Sequence, residues 1–493
     1  MRPAAVPLVR YLARQSPDYA EHMRETLERE LKLAPSEGFT MPELGGDVLP
    51  TRIFVSTYHD TPDLRLARHG ITFRHRIEEG AGLWQLKLPR EGARLELERA
   101  GPPAIPPPEL LALLPAFLRR SSLVPVARLR TRREVVRLPG AEIADDSVAV
   151  LDGQHVIRRF HELEVELVDG GDEETLRRVE AELRRAGADG GPLRAKLYRA
   201  LDLETPSETR VPKRAAPGQA LAIRLQNQVA HLLVHDPGTR LGSDPEDLHQ
   251  LRVATRRLRA FLRAARGVLV RERADQLRAE LGWLGAALGP VRDLDVLVDY
   301  FRGEVEALGP DADGAPDLVS TLEVRRADAR ATLLDALDSR RYLALLDALE
   351  AFAADPPLAK SSDVKLSAIW WKETSRLRKA VDRLDADPTD EELHAVRILV
   401  KRARYAAELA AHELGDRGAA FVESAKTAQD VLGMHQDATV GSELIESWAG
   451  GRPELENVAT RLLRREAGRK LEARAEWPEV WARLDRAALR ART

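Results

Sequence analysis

The sequence predicts an α+β multidomain protein in which a many-stranded antiparallel sheet, curled into a barrel, precedes an all-α domain of two pseudo-symmetric helical bundles. Three observations carry this. Short alternating runs of strand type fill residues 1–204. From about Leu221 the strand signal vanishes, and long segments rich in Ala, Leu and Arg place apolar residues at helical spacing. Two motifs then recur together inside the helical half.

In chain order, Glu28-Arg-Glu30-Leu-Lys32 opens the strand region. Further strands are expected at Arg52–Tyr58, Ile71–Ile77, Leu83–Leu88, Arg94–Glu98, Val126–Leu138, Val148–Leu151 and His161–Leu167, with Gly, Pro and Asp marking the turns. Helical patterns are few here: near Leu8–Leu12, near Glu109–Arg119, and over Glu174–Ala186, which reads as a helix packed on the sheet. Residues 205–217 (TPSETRVPKRAAP) form a polar, Pro-containing linker, giving expected domains of 1–204 and 218–493. Beyond it, Leu251, Ala254, Leu258, Phe261, Leu262 and Ala265 keep helical spacing. Breaks fall near Leu308–Pro316 and at Asp355-Pro356-Pro357.

In the repeat, His249-Gln-Leu-Arg252-Val-Ala-Thr-Arg256-Arg257-Leu-Arg259 matches His394-Ala-Val-Arg397-Ile-Leu-Val-Lys401-Arg402-Ala-Arg404. Downstream, Leu288-Gly289-Pro-Val-Arg-Asp293 matches Leu432-Gly433-Met-His-Gln-Asp437. The His-to-Asp intervals are 44 and 43 residues. Order and spacing both recur, so two equivalent bundles are expected.

Composition bounds the chemistry. The 493 residues contain no cysteine, which excludes disulfide staples, thiolate zinc sites and cysteine nucleophiles, and fits a reducing cytoplasm. No uncharged run reaches the roughly 18 residues of a membrane span, and Met1-Arg2-Pro3 begins no secretory apolar core. A cytoplasmic protein away from membranes is expected. The net charge is -3, and residues 1–204 and 205–493 are each near neutral, with 31 basic to 33 acidic and 45 to 46 groups. Charge asymmetry exists only on single strand faces and helix stripes, where acids and bases are sorted into rows.

Those rows carry the functional reading. In a strand Glu28, Glu30 and Lys32 share a face, as do Arg74 and Arg76; Arg94, Glu96 and Glu98; Arg128, Arg130 and Arg132; and Glu162, Glu164 and Glu166. Any one row alone reads as the wet face of a half-exposed sheet. Together they are almost purely carboxylate or guanidinium, and the face opposite Glu162/Glu164/Glu166 is apolar. Converging inside a barrel, they would bind a divalent cation through hard oxygens and a polyanion through Arg and Lys.

Glu28-x-Glu30-x-Lys32, Arg74-x-Arg76, Lys87, Arg94-x-Glu96, Arg130-x-Arg132, Asp152, Glu162-x-Glu164-x-Glu166 and Lys196, in this order, resemble the CYTH domain, the triphosphate tunnel metalloenzyme fold, over about residues 20–204. The resemblance implies an eight-stranded antiparallel tunnel binding triphosphate and Mg²⁺ or Mn²⁺, with hydrolysis of a terminal phosphate or, in some members, cyclisation of ATP. It further implies Glu28, Glu30 and Lys32 as catalytic, Glu28, Glu30, Glu164, Glu166 and Asp152 as metal-holding, and Arg74, Arg76, Lys87, Arg94, Arg130, Arg132 and Lys196 as phosphate-gripping. Phosphoryl transfer suits this division, being mostly positioning and charge stabilisation. The C-terminal Arg194-Ala-Lys196-Leu-Tyr198 departs from the family's frequent Ser-Lys-Tyr.

At 100° per residue, His249, Arg252, Arg256, Arg259, Arg263 and Arg266 fall within one arc, with no acid between His249 and Arg266. His394, Arg397, Lys401 and Arg404 reproduce the stripe. A solubility face would interleave Glu with Arg, because like charges at i,i+4 repel. This pattern, with the partner repeat and Leu-Gly-x-x-Arg-Asp-x-Asp, resembles the CHAD domain over roughly 215–485. That resemblance implies His249, Arg252, Arg256, Arg259, Arg263, His394, Arg397, Lys401 and Arg404 as contacts for inorganic polyphosphate, and polyphosphate granules as a place of association.

The expected protein is a metal-dependent inorganic triphosphatase that also docks polyphosphate. Its rivals are a non-catalytic polyphosphate adaptor and a nucleotide enzyme, either an adenylate cyclase or a nucleoside triphosphatase. Nucleic acid ranks last as a partner, since no aromatics interleave with the basic stripes.

Overall fold

The computed structural model describes residues 23–189, 194–309, 314–359 and 364–492. The helix expected near Leu8–Leu12 lies outside them. The chain divides into two compact units that part between Ser207 and Glu208.

The first unit is one antiparallel sheet. Its strands are β1 (Arg24–Glu28), β2 (Glu30–Pro35), β3 (Asp47–Asp60), β4 (Thr72–Glu78), β5 (Ala81–Arg90), β6 (Ala93–Ala100), β7 (Val124–Leu138), β8 (Ala141–Asp152), β9 (His155–Leu167) and the two-residue β10 (Ala188–Asp189). They run in the order β1-β6-β5-β4-β3-β7-β8-β9-β2-β10. β1 and β2 are one stretch of chain, interrupted at Arg29, and they pair with opposite edges: Glu28 stands across from Arg94 on β6, and Glu30 from Glu166 on β9. The sheet thus curls until both edges share that stretch, and with β1 and β2 counted together eight strands make the ring. Tight turns follow from local chemistry. Between β4 and β5, Glu79 and Gly80 both take positive φ (48° and 84°), as a two-residue hairpin turn of type I′ requires.

The barrel is polar inside and apolar outside. On β4 and β5, Arg74, Arg76, Gln85 and Lys87 face the lumen, while Phe73, Trp84, Leu86 and Leu88 face outward and are buried. Two segments cover this exterior. Trp84 Nε1 donates to Pro102 O at 3.0 Å at the start of residues 102–118, which bury Leu110, Leu114 and Phe117. Helix α1 (Glu173–Arg185), N-capped by Asp172, packs Val179 and Leu183 onto Leu163, Val165 and Ile143. One end of the lumen is plugged by α2 (Lys196–Leu201), whose Leu197 and Tyr198 pack with Tyr58, Leu129, Val148 and Val150. Asp60 accepts backbone N–H groups of Thr61, Leu66 and Ala67 at 2.7–2.9 Å, so the DTPD stretch is a structural turn.

The second unit contains, among the described residues, helices α3 (Pro217–Leu241), α4 (Pro245–Ala264), α5 (Arg271–Leu308), α6 (Ala315–Leu337), α7 (Arg340–Ala354), α8 (Leu366–Val381), α9 (Asp390–Leu409), α10 (Ala411–Ala449, broken at Gly415) and α11 (Glu456–Arg492). Within α3–α7 and within α8–α11 each helix neighbours the next as in an up-down bundle, and α4 meets α9 across the two halves. α9 opens with a capping box in which Thr389 and Glu392 satisfy each other's backbone N–H groups. α5, α6, α10 and α11 share a core of Val298, Phe301, Leu322, Ile445 and Leu462. No helix is long and apolar enough to cross a membrane, among the described residues.

Candidate active site and polyanion cleft

The lumen is a cavity of about 980 Å³. Cross-strand register sets its chemistry: Glu30 lies opposite Glu166 and Lys32 opposite Glu164, Lys87 opposite Glu96, and Arg133 opposite Asp146, which faces Glu162. Carboxylate oxygens of Glu30, Glu164 and Glu166 lie within 4.8 Å of one another, as do those of Asp146, Glu162 and Glu164.

The two acidic clusters differ in how they are neutralised. Lys196 is buried and its Nζ lies 2.8 Å from Asp146, 2.6 Å from Glu162 and 2.7 Å from Glu164. Arg133 holds Asp146 at 2.6 Å and Glu164 at 2.5 Å. Burial alone would raise the Glu164 carboxyl, but Lys196, Lys32 and Arg133 outweigh it and hold it well below the usual range. Glu166 has less relief, from Lys87 and Arg133 at longer range. It pairs with no cation among the described residues, and burial, then the Glu164 charge, raises its carboxyl. Glu28 is pushed up to about 7 by burial and by Glu96, against Lys87 at 2.5 Å. Glu30, raised by burial, ends below its usual value because Lys32 is 2.9 Å away.

This donor set fits a hard divalent cation. Glu30, Glu164 and Glu166 offer only carboxylate oxygens, and Glu166 is a half-buried carboxylate with unused acceptor capacity. Opposite them, Arg74 donates to Gln85 at 2.7 Å and to the Tyr58 hydroxyl at 3.2 Å. Arg76 is anchored by Glu78, and Arg94 donates to Gly70 O at 2.9 Å. Arg74, Arg76, Lys87, Arg94 and Arg133 therefore line a cavity whose other wall is acidic.

Three expectations need correction. Arg130 and Arg132 are exposed on the outer face of β7, because the inward positions of that strand are Leu129, Thr131 and Arg133. Arg133 is the lumen guanidinium that the sequence reading missed. The adjacent pair Arg132-Arg133 puts one guanidinium on each face, and only the hairpin register distinguishes them. Asp152 is exposed in the β8–β9 turn, six residues along β8 from Asp146, the acid that faces inward. Lys196 lines the lumen as expected, with its ammonium on three carboxylates.

In the helical unit the repeat has a physical meaning. Arg252 of α4 lies against Gly289 of α5, where an added Cβ would stand 3.9 Å from its guanidinium, and pairs with Asp293 at 3.1 Å. Arg397 of α9 lies against Gly433 of α10, with a Cβ at 3.6 Å, and is attracted by Asp437. Each Leu-Gly-x-x-x-Asp motif thus provides a flat backbone and a counter-charge for the first arginine of its stripe. α4 and α9 bring the stripes together: Arg252 and Arg256 act electrostatically on Arg397 and Lys401. The buried Nε atoms of Arg256 and Arg397 have no acceptor. Burial, then the charges of Arg397, Arg256 and Arg252, pushes Lys401 down to about 7. Arg259 and Arg263 continue the row around a hollow of about 250 Å³ with Arg402, a residue outside the expected set. His249 is half-buried beside Arg292, and burial lowers it. His394 is exposed and bonded to Gln436 at 2.5 Å. Arg404 leaves the row, turning to Glu408 at 3.4 Å, which also takes Arg257 at 3.1 Å.

A barrel with this lumen followed by paired bundles with this cleft defines a class, and comparison with known proteins agrees. The CYTH domain profile matches residues 26–191 and the CHAD domain profile residues 223–446. The uncharacterized protein Rv2226 of Mycobacterium tuberculosis (strain H37Rv) is 31% identical over 533 residues, spanning 97% of this chain and 99% of its own length. MT2285 from strain CDC 1551 matches to the same extent. Among solved structures, the CHAD domain from the plant Ricinus communis is 26% identical with a TM-score of 0.48, covering 57% of this chain and 95% of that one. PptA from Streptomyces chartreusis is 22% identical with a TM-score of 0.47, covering 54% and 100%. The chain belongs to the family in which a CYTH domain is followed by a CHAD domain. As a class, CYTH proteins are metal-dependent triphosphate-tunnel enzymes.

Proposed function

We propose that the barrel hydrolyses inorganic triphosphate or the ends of short polyphosphate with Mg²⁺ or Mn²⁺, and that the α4–α9 cleft binds inorganic polyphosphate. The observation that carries the first half is the opposition of an acidic cluster (Glu30, Glu164, Glu166), whose Glu166 lacks an ion-pair partner among the described residues, to a cationic wall within one cavity. Glu30, Glu164 and Glu166, with Glu28 beside them, would hold the metal, which supplies charge neutralisation for the departing phosphate oxygens. Arg74, Arg76, Lys87, Arg94 and Arg133 grip the phosphates. Lys196 and Lys32 hold carboxylates in place, and no protein nucleophile is required. The test is incubation of the purified chain with tripolyphosphate, ATP or long polyphosphate and each metal, measuring phosphate, cyclic AMP and chain length. Metal-dependent phosphate release from tripolyphosphate supports the proposal. Tight binding without release would make the protein an adaptor.

The cleft has a pH signature. A polyanion bound against Lys401 restores its proton, so binding takes one up. With Lys401 titrating at about 7, affinity for long polyphosphate is expected to fall about tenfold between pH 6 and pH 8. Lys401→Arg, whose guanidinium stays charged, should flatten that dependence. Binding titrations at the two pH values check this, and an unchanged slope in the variant sinks the assignment.

A further inference from the structure

The outer face of β7 is the part of the barrel exterior where the apolar pattern gives way to charge. Arg128, Arg130 and Arg132 stand there at alternate positions, all exposed. Register places Ala149 of β8 beside Arg130, and Arg159 of β9 beside Ala149. Ser147 is likewise flanked by Arg132 and His161. Ser147 and Ala149 therefore floor a shallow trough along β8, with guanidiniums on both walls, and Leu151 ends the small floor beside Arg128. Strand spacing sets the walls about 10 Å apart, and cations recur about every 7 Å along β7. Among the described residues no carboxylate lies within ion-pair distance of Arg128, Arg130 or Arg159. Arg132 is paired with Glu134 at 2.6 Å and His161 with Asp145, so the trough loses its charge at that end.

We propose that Arg128, Arg130 and Arg159 form an external track in which an extended inorganic polyphosphate chain lies along β8. Unpaired like charges on one sheet face repel each other unless a polyanion joins them. The repeat of the cations beyond the width of one phosphate suits a long chain over a single triphosphate. Nucleic acid is disfavoured by the neighbouring outward positions, Val55, Thr57, Ala149 and Leu151, which give bases no ring to stack on. This inference rests on the reading of the protein as a polyphosphate binder.

The test uses the full chain and the triple variant Arg128→Ser/Arg130→Ser/Arg159→Ser, beside Arg256→Ser/Lys401→Ser in the cleft. The probes are long-chain inorganic polyphosphate and a single-stranded oligonucleotide across a salt series. The triple variant should bind polyphosphate about tenfold or more weakly, with a slope of log Kd against log salt shallower by about two, at roughly 0.7 per lost contact on a flexible chain. Tripolyphosphate turnover and Tm should stay at wild-type values, since all three side chains are solvent-exposed. If the triple variant binds polyphosphate like wild type while the cleft variant loses it, the track is overturned and the cleft reading stands. Loss of oligonucleotide binding alone also overturns the track. If wild type retains no polyphosphate, both readings fall together.

Discussion

Glu166→Gln is expected to lower metal-dependent phosphate release from tripolyphosphate by about 100-fold or more while leaving the protein at least as stable as wild type. The two halves of this result have one cause. Glu166 is a half-buried carboxylate facing Glu30 and Glu164 with no cation in ion-pair contact among the described residues. Burial and Glu164 raise its carboxyl, so the folded state binds the proton more tightly than the unfolded chain. Such a group stabilises below its ordinary range and loses that contribution as pH rises through its folded value. At pH 7 to 8 the anion therefore costs stability, and neutral Gln, of the same shape, removes the cost. Metal binding needs the charge that folding disfavours. Thermal melts at pH 4.5 and pH 8 should show the variant's Tm advantage only at the higher pH. Wild-type turnover in the variant, or a lowered Tm at pH 8, would refute the role of Glu166 as an anion held for a metal.

Lys196→Met should behave in the opposite way, costing about 3–5 kcal/mol in urea unfolding at pH 7. Removing the ammonium leaves Asp146, Glu162 and Glu164 buried together with Arg133, Arg199 and, at Glu164, Lys32 to answer them. In the wild type, burial raises Asp146, but Lys196 and Arg133 outweigh it and hold it low. Its stabilisation is present above the ordinary carboxylate range and lost as pH falls. The variant's deficit should accordingly be largest near neutrality and shrink toward pH 4, where protonation spares the uncompensated charge. If Lys196→Met unfolds like wild type but raises KM for tripolyphosphate, Lys196 grips phosphate and its structural role is wrong.

Alternation along strands was legible in the sequence; which face turned inward was not. Glu162, Glu164 and Glu166 read as the inward row because Leu163, Val165 and Leu167 oppose them, and α1 does bury Leu163 and Val165 outside the barrel. On β7 the same reasoning fails. Leu129 points inward too, into the plug made by Leu197 and Tyr198, and the polar row Arg128/Arg130/Arg132 is the outer one. This barrel has one apolar core outside its wall and another inside one end, so apolarity alone cannot orient a strand. Asp152 and Asp146 share parity on β8, and only their height in the barrel separates them. The helical stripes were legible because both halves state them, whereas Arg404 turned aside for a local partner, Glu408. Contacts set by cross-strand register, such as Arg133 with Asp146, leave no mark in either strand alone.

The stretch that closes the barrel is made early and completed late. Glu28 meets Arg94, 66 residues downstream, and Glu30 meets Glu166, 136 residues downstream. During synthesis the β2 half of this segment has to wait, with its backbone groups unpaired, until the last long strand has emerged. Glu30 and Glu166 come together only at that moment, so a nascent chain holds no assembled acidic cluster. Any chemistry of the lumen is thereby withheld from unfinished protein, at the expense of an exposed strand edge for most of the domain's biogenesis.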